Sequence, residues 1–189
     1  MRLEKTIIDR YNQETISAHR KRLQFLQNEI ADTESIIDKL VKFQVAIPSW
    51  ALGTGGTRFA RFPRGGEPRN LEEKLEDIGL LHALNNSGGA VSLHIPWDIP
   101  SDPARIRSLA AELGLRFDAM NSNTFQDQPD QPLSYKFGSL QHTDKGVRQQ
   151  AIDHNLEVIK YGVELGSGSL TVWLADGSCF PGQLNFRKA

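Results

Sequence analysis

Polar and aromatic side chains gather at four places where short apolar runs give way: Ser49 and Trp50; His94, Trp97 and Asp98; Asn121, Asn123 and Phe125; Trp173 and Asp176. A neutral imidazole offers one hydrogen-bond donor and one acceptor and titrates near neutral pH, so His94 has the chemistry to bind a hydroxyl or to move a proton. All three tryptophans of the chain belong to this set. A single tryptophan is as readily a core residue, but three at equivalent positions predict a wall for the apolar face of a sugar. His94 shares a strand face with Ser92, while Val91, Leu93 and Ile95 take the other. A lone histidine is more often a hydrogen-bonded structural residue, so the weight given to His94 comes from its place at a strand exit. His82 and His154 fall in helices and are assigned to solvent or packing.

Metal chemistry needs convergent His, Cys, Asp or Glu groups, and no H-x-x-x-H, C-x-x-C or acidic calcium loop occurs. Asp98, Asp118 and Asp176 stand near strand ends, where isolated aspartates are commonly caps or turn formers. Cys179 has no evident base partner and reads as a bystander. The run GTGGT (53–57) invites a phosphate-loop reading but fails on pattern, since Arg58 stands where G-x-G-x-x-G requires its third glycine. Arg58, Phe59, Arg61 and Phe62 alternate charge and ring, which favours contact with a neighbouring subunit.

The elements that must position these residues follow a repeated grammar. Residues 1–42 read as a helical segment, with Thr33 as the N-cap of its second part. FQVAI (43–47), ended by Pro48, reads as the first strand, followed by a long irregular loop over 52–69. Asn70 opens a helix with Glu73 at capping-box spacing, and Leu71, Leu75, Ile78 and Leu81 line one face. A second strand (90–95) leads to a helix opened at Ser101 or Asp102, with Pro103 near its start and Gly114 beyond its end. A third strand (115–120) exits through NSNTF and a long loop into a helix over 144–165, with a stripe of Ile152, Leu156, Ile159 and Val163. The fourth strand covers 169–175. Strands alternating with helices predict an α/β fold with a parallel sheet. The pattern leaves an open sheet and a closed barrel as alternatives, but an eight-stranded barrel needs roughly 250 residues and only four βα units follow residue 43.

Composition narrows the partners. The 189 residues carry 22 basic and 23 acidic side chains, a net charge of -1, so there is no basic footprint for nucleic acid and no polybasic membrane patch. One cysteine excludes an internal disulfide, and the start lacks the apolar core of a signal peptide. No apolar run approaches the ~20 residues of a membrane span. A cytoplasmic protein with a small uncharged ligand or a protein partner is expected.

Longer strings carry a resemblance: VAIPSW (45–50), GTGGTRFARFP (53–63), VSLHIPWD (91–98), FDAMNSNTF (117–125), SYKFGSL (134–140), LTVW (170–173) and FPGQ (180–183). They resemble the N-terminal half of the L-rhamnose isomerases, the branch with broad aldose tolerance. The resemblance implies the first half of a (β/α)8 TIM barrel (residues 43–189) preceded by the N-terminal helices, and assembly as a homotetramer. It implies interconversion of L-rhamnose and L-rhamnulose with divalent metal, typically manganese. It makes His94 a sugar contact away from the metals with a part in ring opening, and makes Trp50, Trp97, Phe125 and Trp173 pocket-lining. Phe59, on the loop, would cover a neighbouring subunit's substrate. The family's metal ligands lie on later strands with no counterpart here, so this chain is expected to be an N-terminal fragment, inactive alone. A non-catalytic sugar-binding or interaction fragment and another isomerase or epimerase of the same barrel superfamily are the alternatives.

Overall fold

The computed structural model describes residues 4–30, 32–52 and 65–174. The N-terminal residues form two helices, α1 (Lys5–Glu29) and α2 (Thr33–Lys42). They part at Asp32, whose left-handed backbone (φ 65°) is a conformation that short polar side chains tolerate. Thr33 is not the N-cap: Asp32 holds that position, and the Thr33 hydroxyl donates instead to the Ile30 carbonyl at 2.7 Å. Neither helix buries a residue. The Asn12 amide nitrogen, donating to the Ala83 carbonyl at 2.8 Å, ties α1 to α3 (Leu71–Asn85).

Among the described residues, six short strands lie along four extended runs. They are β1 (Ala46–Pro48), then β2 (Ala90–Ser92) with β3 (His94–Ile95), then β4 (Arg116–Phe117) with β5 (Met120–Thr124), then β6 (Leu170–Leu174). All pairings are parallel, in the orders β1-β2-β4 and β3-β5-β6. The fold is therefore α/β with parallel strands joined through helices, as the alternation predicts. One difference is that the polar stretch 121–124 is strand, not an exit loop, because its backbone pairs with β3 and β6.

The third run carries an extra residue. Ala90 pairs with Arg116 and Val91 with Phe117, whereas His94 pairs with Asn121 and Ile95 with Ser122, so the register slips by one between Phe117 and Asn121. The backbone confirms it: the Asp118 and Asn121 amides, three apart, donate to the Val91 and Leu93 carbonyls, two apart. This is a β-bulge in a parallel ladder. It places Phe117 and Met120 on one face despite their odd spacing, where both join Val91, Leu93 and Ile95 in the main core. Asn121 and Asn123 fall on the opposite face, level with His94.

The helices cover the apolar face. Asn70 caps α3 by accepting from the Glu73 amide at 2.8 Å, although the Glu73 carboxylate reaches back to the Arg69 amide, not to Asn70 as a capping box would have it. Helix α4 (Pro103–Glu112) starts on Asp102, which accepts from the Arg105 amide, and buries Ile106 and Ala110. Helix α5 (Lys145–Leu165), capped by Asp144 and ended at Gly166 (φ 83°), departs from its predicted face. It buries Val147, Ala151, Val158, Gly162 and Leu165 and leaves Ile152, Leu156, Ile159 and Val163 exposed. The small residues win because the helix lies close on the sheet: a Cβ on Gly162 would stand 3.1 Å from Met120 Cγ.

Candidate functional site

His94 opens β3, the last strand of the second run, with its ring on the face away from the core residues Leu93 and Ile95. Four aromatic rings surround it. Trp97 stacks on the imidazole with centroids 4.0 Å apart and planes 16° apart. Trp50 and Phe125 meet it edge-on at 5.2 and 6.1 Å, and Trp173 leans over it at 6.4 Å. Phe125 and Trp173 also contact each other, centroids 6.0 Å apart. Each ring comes from the exit of a different strand run, except Trp97, which follows His94 on the same one. The parallel arrangement thus collects at one end the residues picked out by position in the sequence.

The imidazole is 2% exposed, and neither ring nitrogen has a hydrogen-bond partner among the described residues. Burial lowers its pKa from the ordinary 6.5 to about 4; the Asp98 carboxylate pulls the other way, and nearby His154 adds to the lowering. His94 is therefore neutral at physiological pH. It presents one donor and one acceptor, but no positive charge, within an apolar cage.

A buried polar knot holds the cage in place. The Asp98 carboxylate accepts from the Ser49 hydroxyl in a very short bond, from Lys74 Nζ at 2.6 Å and from the His94 amide at 3.1 Å. Lys74 and Asp98 form an ion pair with side chains 5% and 1% exposed. Such a pair is tolerable in the interior because further hydrogen bonds satisfy it. Ser49 lies just before Trp50 and Asp98 just after Trp97, so one carboxylate fixes the exits of two strands to α3. All this engages Asp98, which sequence reasoning weighed as a metal ligand, in structure. Lys74 was missed, although a lysine among Leu71, Leu75 and Ile78 on one helical face signals a buried partner.

The third run supplies two asparagines to the same face. Asn121 is fully used: its amide nitrogen donates to the Leu93 and Ala119 carbonyls, and its oxygen accepts from Trp173 Nε1 at 2.9 Å. Asn123, 1% exposed, has no partner for either end of its side-chain amide among the described residues. His154, assigned from sequence to solvent or packing, accepts the Asn123 backbone amide on Nε2 at 3.2 Å and so anchors this strand to α5. Burial lowers its pKa too, with Glu157 opposing.

Among the described residues no three His, Cys, Asp or Glu side chains converge as a metal cage would require. Asp118 stands apart from the rings, and Phe59, Asp176 and Cys179 lie outside the described residues. No helix among the described residues is long and apolar enough to cross a membrane.

No family model matches the chain. Curated relatives do. The chain is 59% identical over 156 residues to a protein of Mesorhizobium japonicum described as "Probable sugar isomerase", an alignment covering 82% of this chain and 36% of the relative. It is 57% identical over 158 residues to a protein of the same description from Rhizobium meliloti, covering 84% of this chain and 37% of the relative. The chain spans little more than a third of the length of these relatives. Over most of its own length, then, the chain that builds this aromatic cage is a homologue of proteins described as sugar isomerases.

Proposed function

We propose that the chain forms the sugar-facing wall of an aldose–ketose isomerase of the L-rhamnose isomerase kind, acting on L-rhamnose and L-rhamnulose. The observation that carries this reading is a neutral, buried histidine with both nitrogens unpartnered among the described residues, enclosed by four aromatic rings. Aromatic faces pack against the C–H face of a sugar, and the imidazole supplies the directional contact to a hydroxyl. In this reading residues 43–189 are the first half of a (β/α)8 barrel behind a helical segment over 1–42. The whole protein is a cytoplasmic homotetramer, and Phe59 reaches a neighbouring subunit's substrate.

A divalent metal such as manganese belongs to the reaction in this reading, but the described residues do not fit it. They offer no convergent ligand set, and Asp98 is already engaged by Ser49, Lys74 and the His94 amide. The part played by this chain is to bind, orient and exclude water. A group with a pKa near 4 is a weak base at neutral pH, so His94 serves as a hydrogen-bonding contact that can relay a proton between sugar oxygens without holding it.

All three tryptophans of the chain lie in the cage, so tryptophan emission, excited beyond the absorption of the three tyrosines, reports on the site. Titration of the 189-residue chain with L-rhamnose is expected to give a saturable change in emission, and incubation with manganese to give no conversion to L-rhamnulose. Silence toward L-rhamnose and L-rhamnulose alike would reject the reading. Turnover would place a complete catalytic set within the 189 residues.

A further inference from the structure

We infer that Asn123 is a second sugar-binding side chain, reading a pair of neighbouring hydroxyls beside His94; this rests on the sugar-site reading above. The argument comes from the contrast between two asparagines on one face of one strand. Asn121 spends its amide within the fold, on two backbone carbonyls and the Trp173 indole. Asn123, two residues on, is more completely buried, and its side-chain amide has no partner among the described residues. Buried amides in folded proteins are hydrogen-bonded as a rule, because the lost water contacts are not otherwise replaced. An unpartnered one at a ligand site is a contact held open for the ligand.

Its placement supports this. Asn123 is in register with Trp173, and Asn121 with His94, so Asn123 stands one pleat beyond the histidine toward Phe125. Its neighbours keep it from swinging away. The Asn123 backbone N–H donates to His154 Nε2, the Ser122 hydroxyl donates to Asn155 Oδ1 at 2.7 Å, and the Thr124 hydroxyl donates to the Trp173 carbonyl at 2.6 Å. The side-chain amide carries a donor and an acceptor side by side and no charge. That matches two adjacent hydroxyls of a neutral polyol, one accepting and one donating. With neutral His94 it forms an uncharged polar pair inside an aromatic cage, suited to a free sugar.

The test replaces Asn123 by leucine, of similar size and without polar atoms, and follows tryptophan emission during L-rhamnose titration alongside thermal unfolding of the full 189-residue chain. A polar group with no partner in the fold lowers stability, so Asn123→Leu is expected to unfold at an equal or higher temperature while binding L-rhamnose at least about tenfold more weakly. Asn123→Ala is expected to show the same weakening, and serves if the leucine variant does not fold. Unchanged affinity in a folded variant overturns the assignment. So does lower stability with unchanged affinity, which would mark Asn123 as structural. A wild-type chain that responds to neither L-rhamnose nor L-rhamnulose overturns the sugar reading itself, an outcome distinct from a variant that binds as the wild type does.

Discussion

The exit of the second strand run, after β3, and the outer surface of the fourth run, β6, are built to different standards of closure. At the first, one carboxylate satisfies a hydroxyl, an ammonium and a backbone amide at once, and every group involved is buried. At the second, Val172 and Leu174 of β6 are 36% and 48% exposed, and on neighbouring α5 Leu156 and Val163 reach 58% and 70%. Parallel strands are ordinarily covered on both faces. Local cohesion therefore rests on the early strands and their helices, and the same kind of residue carries different weight on the two sides.

The sharpest way to break that contrast is Asp98→Ala, which strands Lys74 in the interior without a counter-charge. A loss of about 3–5 kcal/mol in urea unfolding is expected. A loss below about 1 kcal/mol, the range of surface pairs, would mean the knot contributes no more than an exposed salt bridge. Acid should open the same region next. His94 binds its proton near pH 4 in the fold and nearer 6.5 in the unfolded chain, so between those values the unfolded state takes up more protons. Stability from this group is complete above about pH 7 and falls as pH drops toward 4, by about 3 kcal/mol. His154 adds to the fall in the same direction. Unfolding curves at pH 7 and pH 4.5 should separate widely for the wild type and less for His94→Gln. The smallest effects set two valines of α5 against each other: Val158→Ala, fully buried, is expected to cost about 2 kcal/mol, and Val163→Ala less than about 0.5 kcal/mol. Equal costs would erase the difference between the two faces.

What sequence could and could not disclose follows the same division. Two strand exits were legible because apolar runs end abruptly at Pro48 and Pro96, whereas the polar NSNTF, which reads as an exit, is mostly strand because its backbone pairs on both sides. The working face of α5 was not legible, because the helix carries two stripes at helical spacing. The bulkier one reads as core until the close approach of Gly162 to Met120 selects the smaller. Asn123 was legible as a polar residue near an exit, but not as different from Asn121. That distinction depends on which of them finds Trp173 and two carbonyls, and pairing across strands is not written in one strand's sequence.

The extra residue in the third run has a consequence for lineage as well as for shape. It acts as a parity switch: strand positions before it and after it obey opposite odd-even rules, so that Phe117 and Met120 share a side and Asn121 and Asn123 share the other. Were the same residues to run as a regular ladder with Ala119 kept in it, the two sides downstream would exchange, turning both asparagines toward the helices and presenting Ser122 and Thr124 to the aromatic rings; removing Ala119 instead would regularise the ladder and leave Asn121 level with His94. A one-residue gap at the bulge in an alignment of related chains thus leaves the ligand-facing residues where they are, whereas the same gap after Asn121 inverts which residues can meet the ligand.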